Sequence, residues 1–117
     1  MGSLTTHVLD TACGKPADGL RFELFRILDG AKNLVTEQST NIDGRCKNPI
    51  VANQEFTSGT YQIEFHVGEY FKGKGVITDD PAFLDVVPIR FGIASPEEHY
   101  HVPLLVSPYS YSTYRGS

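Results

Sequence analysis

Two cysteines, Cys13 and Cys46, are the whole thiol content of this 117-residue chain. Two are too few for a disulfide framework, and so far apart they do not suggest a four-thiolate zinc site. Positive charge is short as well: 10 Lys+Arg stand against 14 Asp+Glu, a formal net charge of −4. That balance leaves no electrostatic footprint for nucleic acid or an anionic membrane. No apolar run approaches the ~20 residues of a spanning helix. The opening Met1-Gly2-Ser3-Leu4-Thr5-Thr6-His7 lacks the basic stretch and long apolar core of a signal peptide. There is no Gly-x-Ser-x-Gly elbow, no Walker-type phosphate loop and no Gly-x-Gly-x-x-Gly turn. The chain reads as a soluble cytoplasmic protein forming one domain over residues 1–117. Folding at this length buries roughly 66% of the unfolded surface. With 40% hydrophobic residues, that supplies one core.

Long helical periodicity is also missing. What is present is a series of short β-branched and aromatic runs, punctuated by 7 prolines and 11 glycines. Strands are predicted at Thr5–Asp10, Leu20–Leu28, Leu34–Thr40, Thr60–His66, Phe83–Ile93, His99–Val106 and Tyr109–Arg115. A short one is expected at Arg45–Lys47, after the Asp43-Gly44 turn. Asp29-Gly30 marks another turn. Gly68–Lys74 is the one helical stretch, too short to stand without docking on a sheet. About eight strands at this spacing predict an all-β fold, an antiparallel β-sandwich.

The terminal segment His99–Ser117 contains no Asp, Glu or Lys, and Arg115 is its single permanent charge. On strand parity Ser110, Ser112 and Tyr114 share one face, with Tyr109, Tyr111 and Thr113 on the other. Neither face has the charge of an ordinary solvated strand, which points to an interface or a pocket wall.

Histidine is the residue type best suited to chemistry here. His99 and His101 flank Tyr100, so on a strand both imidazoles point one way, and His7 opens the first strand. Such a set suits a zinc site with an open position, a metal-free acid–base site, or plain surface roles. Arg45 offers a planar fork for carbonyls or anionic heterocycles if it faces a pocket. Cys46 lies between Arg45 and Lys47, but strand parity would turn both cations away from it, and both cysteines read as bystanders.

Three motifs in order resemble the transthyretin-related 5-hydroxyisourate hydrolases. They are His7-Val8-Leu9-Asp10 with Gly14-Lys15-Pro16, then Asp43-Gly44-Arg45, then the stretch from His99-Tyr100-His101 to the closing Tyr114-Arg115-Gly116-Ser117. The resemblance runs from about Thr5 to the last residue. It implies a transthyretin-like sandwich of two four-stranded sheets with one short helix. It also implies a homotetramer, a dimer of dimers, with sites at the dimer–dimer interface. The implied reaction is hydrolysis of 5-hydroxyisourate to 2-oxo-4-hydroxy-4-carboxy-5-ureidoimidazoline, without metal or organic cofactor. By motif position His7, Arg45, His101 and Ser117 map onto the catalytic set, and His7, Arg45 and Tyr114 onto the substrate-binding set. Transthyretin itself, a hormone carrier of the same fold, shares Ser107-Pro108-Tyr109-Ser110-Tyr111-Ser112-Thr113. It lacks the counterparts of His7, Arg45, His101 and the Tyr-Arg-Gly-Ser end, so these residues separate enzyme from carrier.

Overall fold

Alternate burial along the first strand sets the geometry of the computed structural model, which describes residues 2–76 and 79–116. In β1, Ser3–Asp10, the side chains of Leu4, Thr6, Val8 and Asp10 are buried, while Ser3, Thr5, His7 and Leu9 lie half-exposed on the outer face. That is the period-2 pattern of a strand with one face on the core. There follow β2 (Lys15–Pro16), β3 (Arg21–Leu28), β4 (Ala31–Ser39), β5 (Val51–Ala52), β6 (Gly59–His66), the helix α1 (Val67–Gly73), β7 (Val86–Ile93), β8 (His99–Val106) and β9 (Tyr111–Thr113). Among the described residues no helix is long and apolar enough to cross a membrane.

Two sheets face each other. One has the order β4-β3-β6-β7; the other runs β2-β1-β8-β9, with β5 also paired to β1. Because β8 occupies one whole edge of β1, the two-residue strands β2 and β5 share the opposite edge, and the sheet is four strands wide. All pairings are antiparallel except β1 with β8, which is parallel from Ser3↔His99 to Asp10↔Val106. The core between the sheets includes Phe22 and Leu24 of β3, Ile63 and Phe65 of β6, and Leu4, Val8, Leu104 and Val106 opposite, all fully buried. Each such side chain contributes about 1.5–3 kcal/mol through removal from water.

Asp29 and Gly30 both take positive φ, 52° and 78°, the geometry of the tight hairpin that the Asp-Gly pair announces between β3 and β4. The helix lies one residue earlier than predicted and buries Val67, Tyr70 and Phe71, the i, i+3, i+4 face expected of a docked helix. Its anchor is polar: Tyr70 donates its hydroxyl to Asp10 Oδ2 at 2.8 Å, tying α1 to the end of β1. The residues Arg45–Lys47 form no strand. Instead they belong to an irregular loop whose amides bond to Asn41 and to the free edge of β1. The segment before β7, from Phe83 to Asp85, is also irregular, and β9 is shorter than the predicted run.

Candidate active site

The parallel register of β1 on β8 determines which outer-face residues meet. Thr5 lies beside His101, and His7 beside Pro103. On the other edge of β8, Leu105 pairs with Ser112, and His101 bridges to Gly116. Carrying that register between the two points puts Tyr114 across from Pro103. The outer face therefore has successive rows Thr5–His101–Gly116, His7–Pro103–Tyr114 and Leu9–Leu105–Ser112. Strand parity correctly groups Ser112 and Tyr114 with His101, and Tyr114 is 60% exposed above this face.

Arg45 arrives from the loop between β4 and β5. That loop docks on β1 where Val8 donates its N–H to the Gly44 carbonyl at 2.8 Å and Ile50 donates to Leu4 at 2.8 Å. A β-carbon on Gly44 would stand 2.4 Å from the Val8 oxygen, and the residue takes φ +72°, so glycine is required on both counts. Asn41 closes the turn. Its side-chain oxygen accepts from Asp43 N–H at 2.9 Å and Arg45 N–H at 3.2 Å, and its own N–H donates to the Arg45 carbonyl at 2.7 Å. Asn41 follows directly on the predicted Leu34–Thr40 strand, and its spacing before Asp43-Gly44 is the sequence signal for an Asx turn.

Together these elements enclose a hollow of about 330 Å³ lined by Thr5, Thr6, Arg45, Cys46, Asn48, His99 and His101. A larger one of about 670 Å³ lies beside α1, lined among others by Glu69, Lys72, Asp79 and Asp85, and touches none of the expected site residues. The smaller hollow brings together Arg45, His99 and His101, while His7 and Tyr114, one row along the outer face, are not among its lining residues. His101 is held below its ordinary pKa by burial, by the charge of Arg45, and by His99 and His7. His7 is lowered by burial and by Arg45, against a raising influence from a backbone hydrogen bond and the carboxylate of Asp43. Both imidazoles are thus neutral at physiological pH and able to accept a proton, within the field of one guanidinium.

Cys46 lines the hollow, contrary to the strand-parity expectation, because Arg45–Lys47 is a loop. Burial pushes its thiol up, away from a reactive thiolate. Among the described residues no group of three or more His, Cys, Asp and Glu is arranged to hold a metal ion. Ser117 lies outside the described residues. Its neighbour Gly116 donates its N–H to the His101 carbonyl at 2.8 Å, so the tail runs directly against that histidine. Arg115 anchors the tail, with its guanidinium 4.1 Å from the centre of the Tyr100 ring and 3.0 Å from Glu98.

A family model for the HIUase/Transthyretin family matches residues 4–116. A protein named 5-hydroxyisourate hydrolase 2 from Rhizobium meliloti is 56% identical over 116 residues, covering 99% of this chain and 97% of its own length. One named 5-hydroxyisourate hydrolase from Pseudomonas aeruginosa is 54% identical, covering 100% and 93%. Among solved structures, an (S)-allantoin synthase superposes with a TM-score of 0.93 at 52% identity; the match covers 99% of this chain but only 44% of that one. The Klebsiella pneumoniae 5-hydroxyisourate hydrolase gives 0.83 at 32% identity, covering both chains completely. Sea bream transthyretin in complex with thyroxine gives 0.86 at 29%, covering 97% of this chain and 94% of its own.

Proposed function

The chain belongs to the HIUase/Transthyretin family, and from that premise we propose that it is a 5-hydroxyisourate hydrolase acting in urate degradation. The product is 2-oxo-4-hydroxy-4-carboxy-5-ureidoimidazoline. The observation that carries this reading is the meeting of Arg45 and His101 at one outer-face hollow, with His7 one row along β1 and both imidazoles depressed by burial and by the same guanidinium. A hormone carrier has no need of two neutral imidazoles beside a cation.

Hydrolysis of the ring amide requires a base for water, stabilisation of the developing oxyanion, and a proton for the leaving nitrogen. One of His7 and His101 takes the proton from water; the other orients the water or protonates the ring nitrogen. Arg45 grips the substrate's oxygens with its planar fork and offsets charge on the attacked carbonyl. Tyr114, in the same row as His7, forms one wall and hydrogen-bonds the substrate. Ser117, the residue after Gly116 in the sequence, holds a histidine or the water through its hydroxyl. In this reading the water attacks directly, with no covalent enzyme intermediate.

Assembly completes the cleft. In the proposed homotetramer, a dimer of dimers, the open outer face of this sheet packs against its equivalent and shuts out bulk water, which strengthens the field of Arg45. The exposure of Tyr114 on that face, in a nearly uncharged terminal segment, supports it as an interface. The two free thiols support a reducing, cytoplasmic setting. The test is direct. Freshly generated 5-hydroxyisourate has an ultraviolet absorbance whose decay the purified protein should accelerate well beyond the spontaneous rate. Decay at the spontaneous rate, with tight thyroid-hormone binding, would overturn the reading in favour of a carrier.

A further inference from the structure

Four side chains on the outer face of β1 and β8 stand in an unbroken line of hydrogen bonds. Ser3 Oγ lies 2.8 Å from His99 Nδ1. His99 Nε2 lies 3.1 Å from Thr5 Oγ1, and the same oxygen lies 2.8 Å from His101 Nδ1. The parallel register puts Ser3 opposite His99 and Thr5 opposite His101. The two rings stand nearly parallel, 15° apart with centroids separated by 6.4 Å. Within the line His99 is exposed, while His101 at its far end is half-buried in the hollow.

Thr5 has a single hydroxyl proton and two ring nitrogens to satisfy. It donates to one ring, and the other ring must then donate to it. Two alignments of the line satisfy every contact. In the first, His101 donates Nδ1–H to Thr5, Thr5 donates to His99 Nε2, and His99 donates Nδ1–H to Ser3. His101 then presents a bare Nε2, a base. In the second, Ser3 donates to His99 Nδ1, His99 donates Nε2–H to Thr5, and Thr5 donates to His101 Nδ1. His101 then presents Nε2–H, an acid. The tautomers of the two rings are therefore locked together through one hydroxyl.

We propose that Ser3, His99, Thr5 and His101 form a proton relay in which His99 is a positioning residue that sets the tautomer of His101. The proposal rests on reading His101 as part of the active site. Starting from the first alignment, His101 Nε2 takes a proton from the attacking water and becomes an imidazolium. Its Nδ1–H bond then breaks as the proton passes to Thr5 Oγ1, while the proton already on that oxygen moves to His99 Nε2. The positive charge has moved from His101 to His99, which is protonated on both nitrogens, and His101 is left neutral with Nε2–H. When the leaving nitrogen takes the Nε2 proton, the line runs back: the Thr5 hydroxyl proton passes to His101 Nδ1 and the His99 Nε2 proton to Thr5 Oγ1. The first alignment is restored, and the one proton taken from water has gone to the leaving nitrogen.

The surrounding charges favour that direction. His101 faces the guanidinium of Arg45 from the β4–β5 loop and the imidazole of His7 on β1, so a positive charge there is costly. At His99 the charge meets solvent and lies near the Glu98–Arg115 pair, Arg115 reaching the His99 carbonyl at 3.4 Å.

The test uses the full-length protein with isotope-labelled histidine and no substrate, reading ring tautomers by NMR in wild type, Thr5→Val and Thr5→Ser. Wild type should hold both rings in the same tautomer, with titration of His99 changing the signals of His101. Thr5→Val, which keeps the shape and removes the hydroxyl, should abolish that link, and Thr5→Ser should keep it. In hydrolysis of 5-hydroxyisourate, Thr5→Val and His99→Ala should lower kcat by about 10- to 100-fold with KM little changed, less than the full 10²–10⁴ of a direct acid–base group. Thr5→Ser should restore kcat. Opposite tautomers in the two rings, or a His101 that titrates identically in wild type and Thr5→Val, would overturn the relay. So would an intact link in wild type together with undiminished kcat in folded Thr5→Val. Failure of wild type to hydrolyse 5-hydroxyisourate would overturn the functional reading instead, since the resting-state tautomers test the relay separately.

Discussion

Gly116 presses against the imidazole of His101: a β-carbon there would lie 2.6 Å from the ring's Cδ2, while the glycine N–H donates to the His101 carbonyl at 2.8 Å. The tail can bond to β8 beside this histidine only because Gly116 has no side chain. Substitution Gly116→Ala must displace either the tail or the ring. We expect kcat to fall by about 10²-fold, the size of losing one positioned catalytic group, with thermal stability near that of wild type. A folded Gly116→Ala variant with full activity would show that the site tolerates a shifted ring.

Arg45→Lys should be nearly as damaging as Arg45→Ala. Lysine keeps the charge and loses the planar two-pronged donor, and a drop on the order of 10²-fold or more is expected in kcat/KM. The two variants differ elsewhere. Arg45→Ala should let both His7 and His101 titrate closer to their ordinary value, because Arg45 helps hold both down. Histidine titrations of the two variants check this, and an Arg45→Lys enzyme of near-normal rate would show that charge alone suffices.

The pH profile follows from the same shifts. His7 and His101 are lowered from 6.5, so the neutral, proton-accepting forms persist below that pH. Activity should be flat above pH 6.5 and fall only on the acid side of it. Stability has the same sign: the folded state binds fewer protons than the unfolded chain in this window. The contribution is therefore complete above 6.5 and is lost as pH falls through the folded values. Rate and denaturation midpoint measured across this range test it; an acid limb centred above 6.5 would contradict the shifts.

Tyr70→Phe should cost stability without touching the chemistry. It removes the hydroxyl that Asp10 Oδ2 accepts from, while Asp10 is only 4% exposed. The remaining partners of that carboxylate, the Ala12 and Cys13 amides, reach only Oδ1. An unsatisfied buried acceptor costs about 1–3 kcal/mol. Denaturant unfolding should register that loss while kcat stays within about twofold, since Asp10 points away from the outer face.

How much of this was legible in the chain depends on distance along it. The Asp29-Gly30 hairpin, the alternation of Phe22 and Leu24, the short helix and the shared face of Ser112 and Tyr114 all follow from neighbouring residues. Local backbone preference and period-2 geometry determine them. The motif positions of His7, Arg45 and His101 were likewise readable, as residue types in order. Local pattern does not predict which strand lies beside which. Thr5 meets His101 across 96 positions, through a parallel register that no local run specifies. Arg45–Lys47 looked like a strand because its residues tolerate one; docking on the edge of β1 and the Asn41 turn made it a loop. His99 and Thr5, like Gly116, acquire their roles only when β8 lies between β1 and the tail. Burial of the apolar faces of both sheets sets that arrangement, and the polar contacts of the outer face follow from it.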